Sequence, residues 1–339
     1  MSLSPTSSSD GIPRDLVRIL DAEAVGNLLD DRMVLDAIRG LFTLSEEDVG
    51  FGRIDLSHPN GWIRSLPAFV AGQDLLGFKV LHRTDGVGMR YTIYVHRLST
   101  GELEGIVDAL EVTNLRTGAV SALATDYLAP GDVEVAAIVG TGPVARGQLR
   151  ALDLVRPAAE IRVFARTQEN RQAFVEEMSP VVSSRLVEAA SLEAAFEDVD
   201  MVTLATKASS PVLRGEHLRP GMHVNSVGPA SRDRIEVDPA MFSDFDRVVC
   251  DSAALVFDEA GDARLAISRG GFARERAEDL ADVVSGSLVR QHADEITLFK
   301  SVGNGAQDLV VAARLLEVAA AESVGTVVGD VNSIKPTSP

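Results

Sequence analysis

Cysteine is almost absent from this chain, and no residue pattern points to a bound metal. The 339 residues include one cysteine, which excludes an intramolecular disulfide and fits a reducing compartment. This residue, Cys250, ends the apolar run at 247–250, so we expect a buried thiol rather than a nucleophile. The 6 histidines show no paired spacing and there is no C-x-x-C motif. A structural metal site is therefore not predicted.

Basic residues are also scarce. The chain has 32 Lys and Arg against 50 Asp and Glu, a net charge of −18 and a pI of about 4.7. This balance argues against nucleic acid or an anionic membrane surface as a partner. No apolar stretch is long enough to cross a bilayer, and no signal peptide is recognisable. We therefore expect a cytoplasmic protein.

The length exceeds what one hydrophobic core comfortably serves, so two domains are predicted. Residues 1–12 begin with a Ser- and Pro-rich segment, and we predict a disordered tail there. The sequence APGD at 129–132 is a clean break. We place a domain boundary at this break, and the region from 130 to 304 then forms the second unit.

The region before this break predicts two helices and then an antiparallel sheet. Asp21 can cap one helix, and Asp30 or Asp31 can cap the next. Short alternating or β-branched runs then predict strands, and a long Ala- and Leu-rich segment predicts a helix over 108–128. Thr113 or Asn114 is predicted to cap the main part of this helix. The predicted strands cover residues 53–56, 63–70, 75–82 and 90–97.

Residues 133–167 carry the strongest motif. The apolar run at 135–139 predicts a buried parallel strand. A G-x-G-x-x-A turn follows it, then a helix over 145–154 and a second strand over 161–164. A strand, glycine turn, helix and strand in this order are typical of a dinucleotide-binding unit, in which the helix N-terminus faces the pyrophosphate. The predicted cofactor-binding residues of the turn are Gly140, Thr141, Gly142, Pro143, Val144 and Ala145.

The end of the second strand bears on the choice of cofactor. NAD-binding folds place an acidic residue there, which bonds the ribose 2′-hydroxyl. Here the strand is followed by Ala165, Arg166 and Thr167, so a guanidinium and a hydroxyl are available for a 2′-phosphate. We therefore favour NADP(H) over NAD(H), although Arg166 would also be compatible with a solvated charge at a strand end.

Three further strand ends are predicted to meet the cofactor and the substrate. Strands are predicted over 199–205, 223–227 and 247–251, with the sheet continuing to about Thr297 and a final helix over 305–324. Because ligands bind at the carboxyl ends of parallel strands, we expect the cofactor to contact Thr206, Val227, Ser301 and Gly303. The backbone donors of the Gly-rich turn at 301–305 are predicted to hold an anion or a cofactor edge. The tail at 333–339 is predicted to be loose.

Three cations of the front region stand in or near apolar surroundings. Lys79 lies in a mostly apolar predicted strand, and Arg116 lies in the Ala- and Leu-rich helix. A buried cation needs an anionic partner or a functional reason. One hypothesis is that Arg53, Lys79 and Arg116 bind a substrate carboxylate, with Lys79 as a proton donor. The alternative is that each cation forms a structural pair or extends to solvent.

The sequence resembles a known family, that of ornithine cyclodeaminase and mu-crystallin. The resemblance covers the chain from about Arg18 to Val324 and includes Lys79. The matching segments are SLPA at 65–68, TGELEGIVDALEVTNLRTGAVSALA at 100–124, GTGPVA at 140–145, TLATKASSPVL at 203–213, HVNSVGP at 223–229, EAGD at 259–262 and DEITLFKSVGNGAQDL at 294–309.

This resemblance implies a Rossmann-type doubly wound parallel sheet and a second α+β domain for substrate and dimerisation. The second domain would comprise residues 13–129 and 305–339, with the Rossmann domain over 130–304, and a homodimer is expected through its sheet. Arg53, Lys79 and Arg116 match the family's carboxylate-binding set.

One departure from the family pattern concerns the chemistry. The cyclodeaminase branch has an Asp that handles the substrate amino groups, whereas this chain has Ala230 there, or Pro229 if the register shifts. Asp233 is three residues further on, at the wrong spacing. The segment is closer to the mu-crystallin branch, which resembles ketimine reductases and amino-acid dehydrogenases.

We therefore expect an NAD(P)H-dependent oxidoreductase that acts on the C–N bond of a small imino or amino acid. The first alternative is a cyclodeaminase-type lyase with catalytic NAD. The second is a cofactor-binding protein without turnover, like crystallin members of the family.

Overall fold

The computed structural model describes residues 16–228, 230–329 and 331, and these contain two eight-stranded sheets. The predicted tails at 1–12 and 333–339 lie outside the described residues. The first sheet consists of β1 (Leu16–Leu20), β2 (Val49–Phe51), β3 (Ile54–His58), β4 (Gly61–Val70), β5 (Leu75–Thr84), β6 (Gly88–Arg97), β7 (Leu103–Asp108) and β16 (Thr326–Gly329). The second consists of β8 (Val135–Val139), β9 (Glu160–Phe164), β10 (Arg185–Glu188), β11 (Met201–Leu204), β12 (His223–Ser226), β13 (Arg247–Cys250), β14 (Ala277–Asp279) and β15 (Thr297–Lys300).

The helices connect and cover these sheets. No helix in the described part of the chain has both the length and the apolar character needed to cross a membrane. In chain order they are α1 (Ala22–Leu28), α2 (Asp31–Phe42), α3 (Leu110–Leu128), α4 (Pro143–Val155), α5 (Gln168–Met178), α6 (Leu192–Phe196), α7 (Ala253–Glu259), α8 (Gly261–Ser268), α9 (Leu280–Ser285) and α10 (Gly305–Ala321).

Both ends of the described chain contribute to the first sheet, whose order is β16-β1-β7-β6-β5-β4-β2, with β3 also paired to β4. The pairings are antiparallel except that β1 runs parallel to β7. The sequence pattern found β3 to β6 but not β1, β2, β7 or β16. Each of these four strands has at most 6 residues and so has few positions at which an alternation can show.

The second sheet is parallel throughout, with the order β10-β9-β8-β11-β12-β15-β13-β14. Strand β8 is buried on both faces: Ala136 and Ile138 pack in one hydrophobic core, and Ala137 and Val139 pack in another. The chain runs outward from β8 to β9 on one side and to β11 on the other. Doubly wound sheets bind nucleotides at such a reversal of strand order, so the Rossmann-type fold is confirmed.

Helix α3 joins the two sheets through an unusually close contact with α4. A Cβ on Gly118 would lie 2.1 Å from the carbonyl oxygen of Gly147, and a Cβ on Gly147 would lie 2.3 Å from that of Asn114. Only glycine permits this approach of two backbones. The contact fixes the beginning of α4, where the glycine turn lies, relative to α3, which carries Arg116.

The helix caps were predicted correctly at the chain's beginning but not for α3. Asp21 caps α1 and Asp30 caps α2 through their side chains. Helix α3 begins at Leu110, so the prediction that Thr113 or Asn114 caps it was wrong. Thr113 instead turns its hydroxyl to the carbonyl of Ala109, 2.5 Å away, as Thr within a helix commonly does.

Candidate active site

A cavity of about 580 Å³ lies between the first sheet and the carboxyl ends of the second. Strands β3 to β6 and helix α3 form one wall of this cavity. The loops after β12 and β15 and the first turn of α4 form the opposite wall. This is the crevice in which a doubly wound sheet binds its ligands. Its lining includes seven of the predicted site residues, namely Arg53, Lys79, Arg116, Val144, Val227, Ser301 and Gly303.

Lys79 is held inside this cavity by a carboxylate from the far end of the chain. It lies on β5 with 2% of its surface exposed. Its Nζ donates to Oδ1 and Oδ2 of Asp308 at 2.8 and 2.9 Å, and to the hydroxyl of Thr113 at 3.0 Å. Burial lowers the pKa of Lys79 to about 8, although the Asp308 charge acts in the opposite direction. An ammonium with this pKa is able to exchange a proton near neutral pH.

Arg116 reaches the same carboxylate from α3. Its Nε donates to Oδ1 of Asp308 at 2.9 Å, and one terminal nitrogen donates to Oε1 of Gln307 at 2.9 Å. Burial alone would raise the pKa of Asp308, but the charges of Arg116 and Lys79 outweigh it and lower this pKa. Asp308 is thus a stable anion that orients two cations at once.

Arg53 precedes β3 and completes a cationic cluster, by which we mean Arg53, Lys79 and Arg116. Its guanidinium pairs with the carboxylate of Glu259 and donates to the carbonyl of Gly303 at 3.2 Å. Burial lowers the pKa of Arg53 to about 10. Its Nε is buried and has no hydrogen-bond partner among the described residues. A buried donor without a partner favours a bound acceptor in the cavity.

The glycine turn after β8 has the geometry that a dinucleotide requires. Gly140 has a φ of +111°, and a Cβ there would lie 2.3 Å from the carbonyl oxygen of Ala205. Gly142 is the N-cap of α4 and makes no side-chain cap, and a Cβ there would enter open space. Pro143 is the first helical residue, and Ala145 is buried against the sheet. The open helix N-terminus fits a phosphate group.

Arg166 and Thr167 follow β9, next to this turn. The amide of Gly140 donates to the carbonyl of Phe164 at 2.9 Å, so the turn and the end of β9 are hydrogen-bonded neighbours. Arg166 is exposed. Thr167 caps α5, since its hydroxyl accepts from the amide of Asn170 at 3.4 Å. Thr141 uses its carbonyl to accept from Arg146 at 2.6 Å.

The loop of Ser301 and Gly303 does not offer the anion-binding donors that were predicted. The amides of Val302 and Gly303 donate to Asp251 at 3.2 and 2.8 Å, and the Ser301 hydroxyl donates to the same carboxylate at 2.8 Å. Asn304 caps the helix behind them. The loop's donors are therefore occupied by a carboxylate of the protein itself.

The fold and the cavity agree with a comparison to known proteins. A model described as the ornithine cyclodeaminase/mu-crystallin family matches residues 44–323. The chain belongs to this family. The resemblance found in the sequence is therefore confirmed.

Similar proteins include reductases of cyclic imino acids. A Δ1-pyrroline-2-carboxylate reductase of Paracoccus denitrificans is 32% identical over 298 residues, which cover 85% of this chain and 93% of the relative. A ketimine reductase mu-crystallin of Macropus fuliginosus is 29% identical over 266 residues, covering 76% and 81%. The structure of the Thermococcus litoralis Δ1-pyrroline-2-carboxylate reductase in complex with NADH and L-proline matches with a TM-score of 0.86 and 30% identity, covering 91% and 99%.

The resemblance implies that the Asp of the lyase branch corresponds to Ala230, or to Pro229 if the register shifts. Ala230 lines the cavity, and Pro229 lies outside the described residues. The carboxylate of Asp233 is exposed and accepts from the hydroxyl of Ser231, and Asp233 is not part of the lining. This wall therefore presents no carboxylate at Ala230 to accept a proton from a substrate amine.

The sequence did not reveal the acceptors that hold the cationic cluster. Neither the carboxylates of Asp308 and Glu259 nor the amide of Gln307 was predicted as a partner of these cations. The signal available was indirect, because a buried cation implies a buried anion without naming it. Thr206, which was predicted to contact the cofactor, is not part of the cavity lining, whereas the next residue, Lys207, is.

Proposed function

We propose that this protein is an NAD(P)H-dependent reductase of a small imino acid, which it converts to the corresponding amino acid. One observation carries the proposal: a buried lysine with a pKa of about 8 faces the same cavity as the beginning of the glycine-turn helix. Membership of the family and the likeness to imino-acid reductases support it.

The substrate carboxylate is bound by the cationic cluster. Two carboxylates, Asp308 and Glu259, face the three cations, which leaves one positive charge for one substrate carboxylate. The planar guanidinium groups of Arg53 and Arg116 suit a carboxylate bound through paired donors. The unpartnered Nε of Arg53 supplies one such donor.

Lys79 then protonates the imine. When bound, a reduced nicotinamide would supply the hydride that the imine carbon accepts and would be released in the oxidised form. The C=N electron pair moves onto nitrogen, which takes a proton from Nζ of Lys79, and solvent returns a proton to the lysine. Asp308 and Thr113 fix the position of Nζ, 2.8 and 3.0 Å away, so that the proton is delivered from one direction.

The cofactor is proposed to lie along the glycine turn with its nicotinamide end in the cavity. Gly140, Thr141, Gly142, Pro143, Val144 and Ala145 form the phosphate-binding turn, and Thr206, Val227, Ser301 and Gly303 lie on or beside the loops around the nicotinamide.

We further propose that NADP(H) is preferred, because Arg166 follows β9 where an NAD-specific fold has a carboxylate. The Arg166→Ala variant should bind NADPH about tenfold more weakly, by loss of a charge-assisted hydrogen bond, and NADH almost unchanged. Fluorescence titration with both cofactors measures this. Equal weakening of the two affinities would contradict the preference.

A homodimer through the first sheet is also proposed. Phe69 on β4 pairs with Leu76 on β5, and both side chains remain 38% exposed on the sheet. Next to them, the rings of Phe78 and Tyr94 stack with centroids 4.8 Å apart. Apolar surface of this kind commonly marks a protein interface. Analytical ultracentrifugation of wild type and Leu76→Lys tests this, since the charge should shift the protein towards the monomer.

The function is tested by following absorbance at 340 nm with NADPH or NADH and a panel of cyclic and linear imino acids. An ammonia assay with L-ornithine and NAD⁺ runs in parallel. Stoichiometric oxidation of the cofactor with an imine is the expected result. Ammonia and proline from ornithine without net change of cofactor would instead indicate the lyase reaction, and binding without any turnover would indicate a crystallin-like binding protein.

A further inference from the structure

Behind the cavity loops of the second sheet lies a buried group of charged and polar residues. We call Ser226, Glu236, Asp262 and Lys300 the Glu236 network. Their exposed fractions are 0%, 1%, 1% and 3%. None of the four is used by the mechanism above. A buried charged network of this kind requires a reason, because desolvation of each ion is unfavourable.

Glu236 connects two of the loops that surround the proposed nicotinamide site. Its Oε1 accepts from the amide of Thr206 at 2.6 Å, and its Oε2 accepts from the amide of Gly228 at 2.8 Å. Thr206 follows β11 and Gly228 follows β12, which are neighbouring strands. A Cβ on Gly228 would lie 2.2 Å from the carboxyl carbon of Glu236. The carboxylate therefore lies directly behind the loop backbone.

The network as a whole carries a negative charge. The Lys300 ammonium donates to Oδ2 of Asp262 and to the hydroxyl of Ser226, both at 2.8 Å. This hydroxyl in turn donates to Oε2 of Glu236 at 3.0 Å. Two carboxylates thus face one ammonium. Glu236 accepts only from backbone amides and a hydroxyl, so its charge has no directly bonded counter-ion.

The negative charge of Glu236 lies behind loops that line the cavity. Val227, Gly228 and the loop of Ser301 to Gly303 line the same cavity as Val144, at the glycine turn, and Lys79. A nicotinamide ring that reaches an imine beside Lys79 from phosphates at the glycine turn must pass this wall. The cationic cluster is on the other wall of the cavity. Lys207 and Arg234 also line the cavity on the side of Gly228, so the carboxylate of Glu236 lies behind a lining that is otherwise rich in cations.

We propose that Glu236 is a positioning residue whose carboxylate sets the spacing of the two loops and favours the oxidised, positively charged nicotinamide over the reduced form. This inference rests on the proposed function. Because a positive charge appears on the ring as the hydride departs, a fixed negative charge behind the wall stabilises the transition state. It also offsets the repulsion that the cationic cluster exerts on this charge.

Three substitutions together distinguish the effect of the Glu236 charge from the effect of its hydrogen bonds to the loops. Three donors converge on the two oxygens of Glu236, so the Glu236→Gln variant loses both the charge and one acceptor. The Lys300→Met variant removes the positive charge and makes the network more negative. The Ser226→Ala variant removes one hydrogen bond to Glu236 and leaves both carboxylates and the ammonium in place, which makes it the matched control.

The experiment measures the dissociation constants of the oxidised and the reduced cofactor by calorimetry for wild type and the three variants. In Glu236→Gln, the dissociation constant of the oxidised cofactor should rise about tenfold relative to that of the reduced cofactor. This is the size expected for one charge separated from the ring by the loop backbone at an intermediate dielectric constant. Lys300→Met should shift the ratio of the two constants in the opposite direction. Ser226→Ala should weaken both forms by the same factor and leave the ratio unchanged.

Equal weakening of both cofactor forms by Glu236→Gln would overturn the electrostatic role, since it would show that the carboxylate only holds the loops. If this variant fails to fold, Asp262→Asn, which also removes one negative charge, is judged by the same ratio. Failure of the proposed function gives a different result, because the wild type would then bind neither form, or would bind both without reducing any imino acid.

Discussion

The cationic cluster and the glycine turn are built in different ways. The cationic cluster works through charged side chains on β5, α3 and the segment before β3, of which Lys79 and Arg116 are held by Asp308 of α10 and Arg53 by Glu259 of α7. The glycine turn works through backbone, with an open helix N-terminus and two glycines whose missing side chains make room. The cationic cluster therefore depends on residues far apart in the chain, whereas the glycine turn depends on six consecutive ones.

This difference decides how the cationic cluster and the glycine turn each respond to mutation. In the cationic cluster, removing one charged partner leaves others buried without compensation, so stability and chemistry change together. In the glycine turn, an added methyl group acts by occupying space, and its effect depends on what lies in that space. We therefore expect substitutions in the cationic cluster to have larger effects than substitutions in the glycine turn.

Lys79→Ala should lower kcat for imine reduction by about 10³-fold, because the proton donor is lost. With wild-type enzyme, activity should fall as the pH rises past 8, since the protonated form of Lys79 is the active one and burial lowers its pKa to about 8. Steady-state kinetics from pH 6 to about 10, within the range set by this pKa, measure both effects.

Lys79→Arg is the matched control for this pH dependence. A guanidinium keeps the positive charge over the whole range but does not release its proton. The residual activity of this variant should therefore lack the decline near pH 8. A decline that persists in Lys79→Arg would assign the titration to the substrate and contradict the role of Lys79.

Asp308→Asn should destabilise the protein by about 3 kcal/mol, because Lys79 and Arg116 lose their shared carboxylate in a buried setting. The Asp308 charge raises the pKa of Lys79. Its loss should therefore lower this pKa further and move the decline in activity to a lower pH. Urea unfolding and the pH profile give the two readings.

Asp55→Asn provides the comparison for Asp308. Asp55 also pairs with an arginine of the cavity, Arg64, at 2.5 Å, but its side chain is 52% exposed. Solvent-exposed pairs contribute about 1 kcal/mol or less, so this variant should unfold almost like wild type. Equal effects of the two substitutions would show that burial does not distinguish the two pairs.

The two glycines of the turn should give opposite results. Gly140→Ala should destabilise the fold by about 2 kcal/mol, because the residue has a positive φ and its methyl group would meet the carbonyl of Ala205. Gly142→Ala should leave the melting temperature unchanged and weaken cofactor binding about tenfold, since the methyl group enters the space proposed for the pyrophosphate. If Gly142→Ala binds cofactor normally, the phosphates lie elsewhere.

The same contrast explains what the sequence could and could not reveal. The glycine turn was found because strand, turn and helix are contiguous, and β8 was predicted with its observed ends. The three cations were found because charges in apolar segments are conspicuous. Asp308 was not paired with them, because the pairing of Lys79 with a residue 229 positions away is a tertiary fact. Strands β1, β2, β7 and β16 of the first sheet were missed because short strands depend on their neighbours for stability.

The connection of Lys79 and Arg116 to Asp308 has a consequence for biosynthesis. A ribosome that has released the first 300 residues has produced the buried cations without the anion that compensates them, and without α10, which fills the core of the first sheet. We therefore expect the region of the second sheet, which carries the glycine turn, to be able to fold during translation. Residues 16–128, which carry the three cations, can complete their fold only when the end of the chain has been made. Nascent chains stopped before α10 should consequently remain sensitive to protease in residues 16–128, even when the second sheet is already protected.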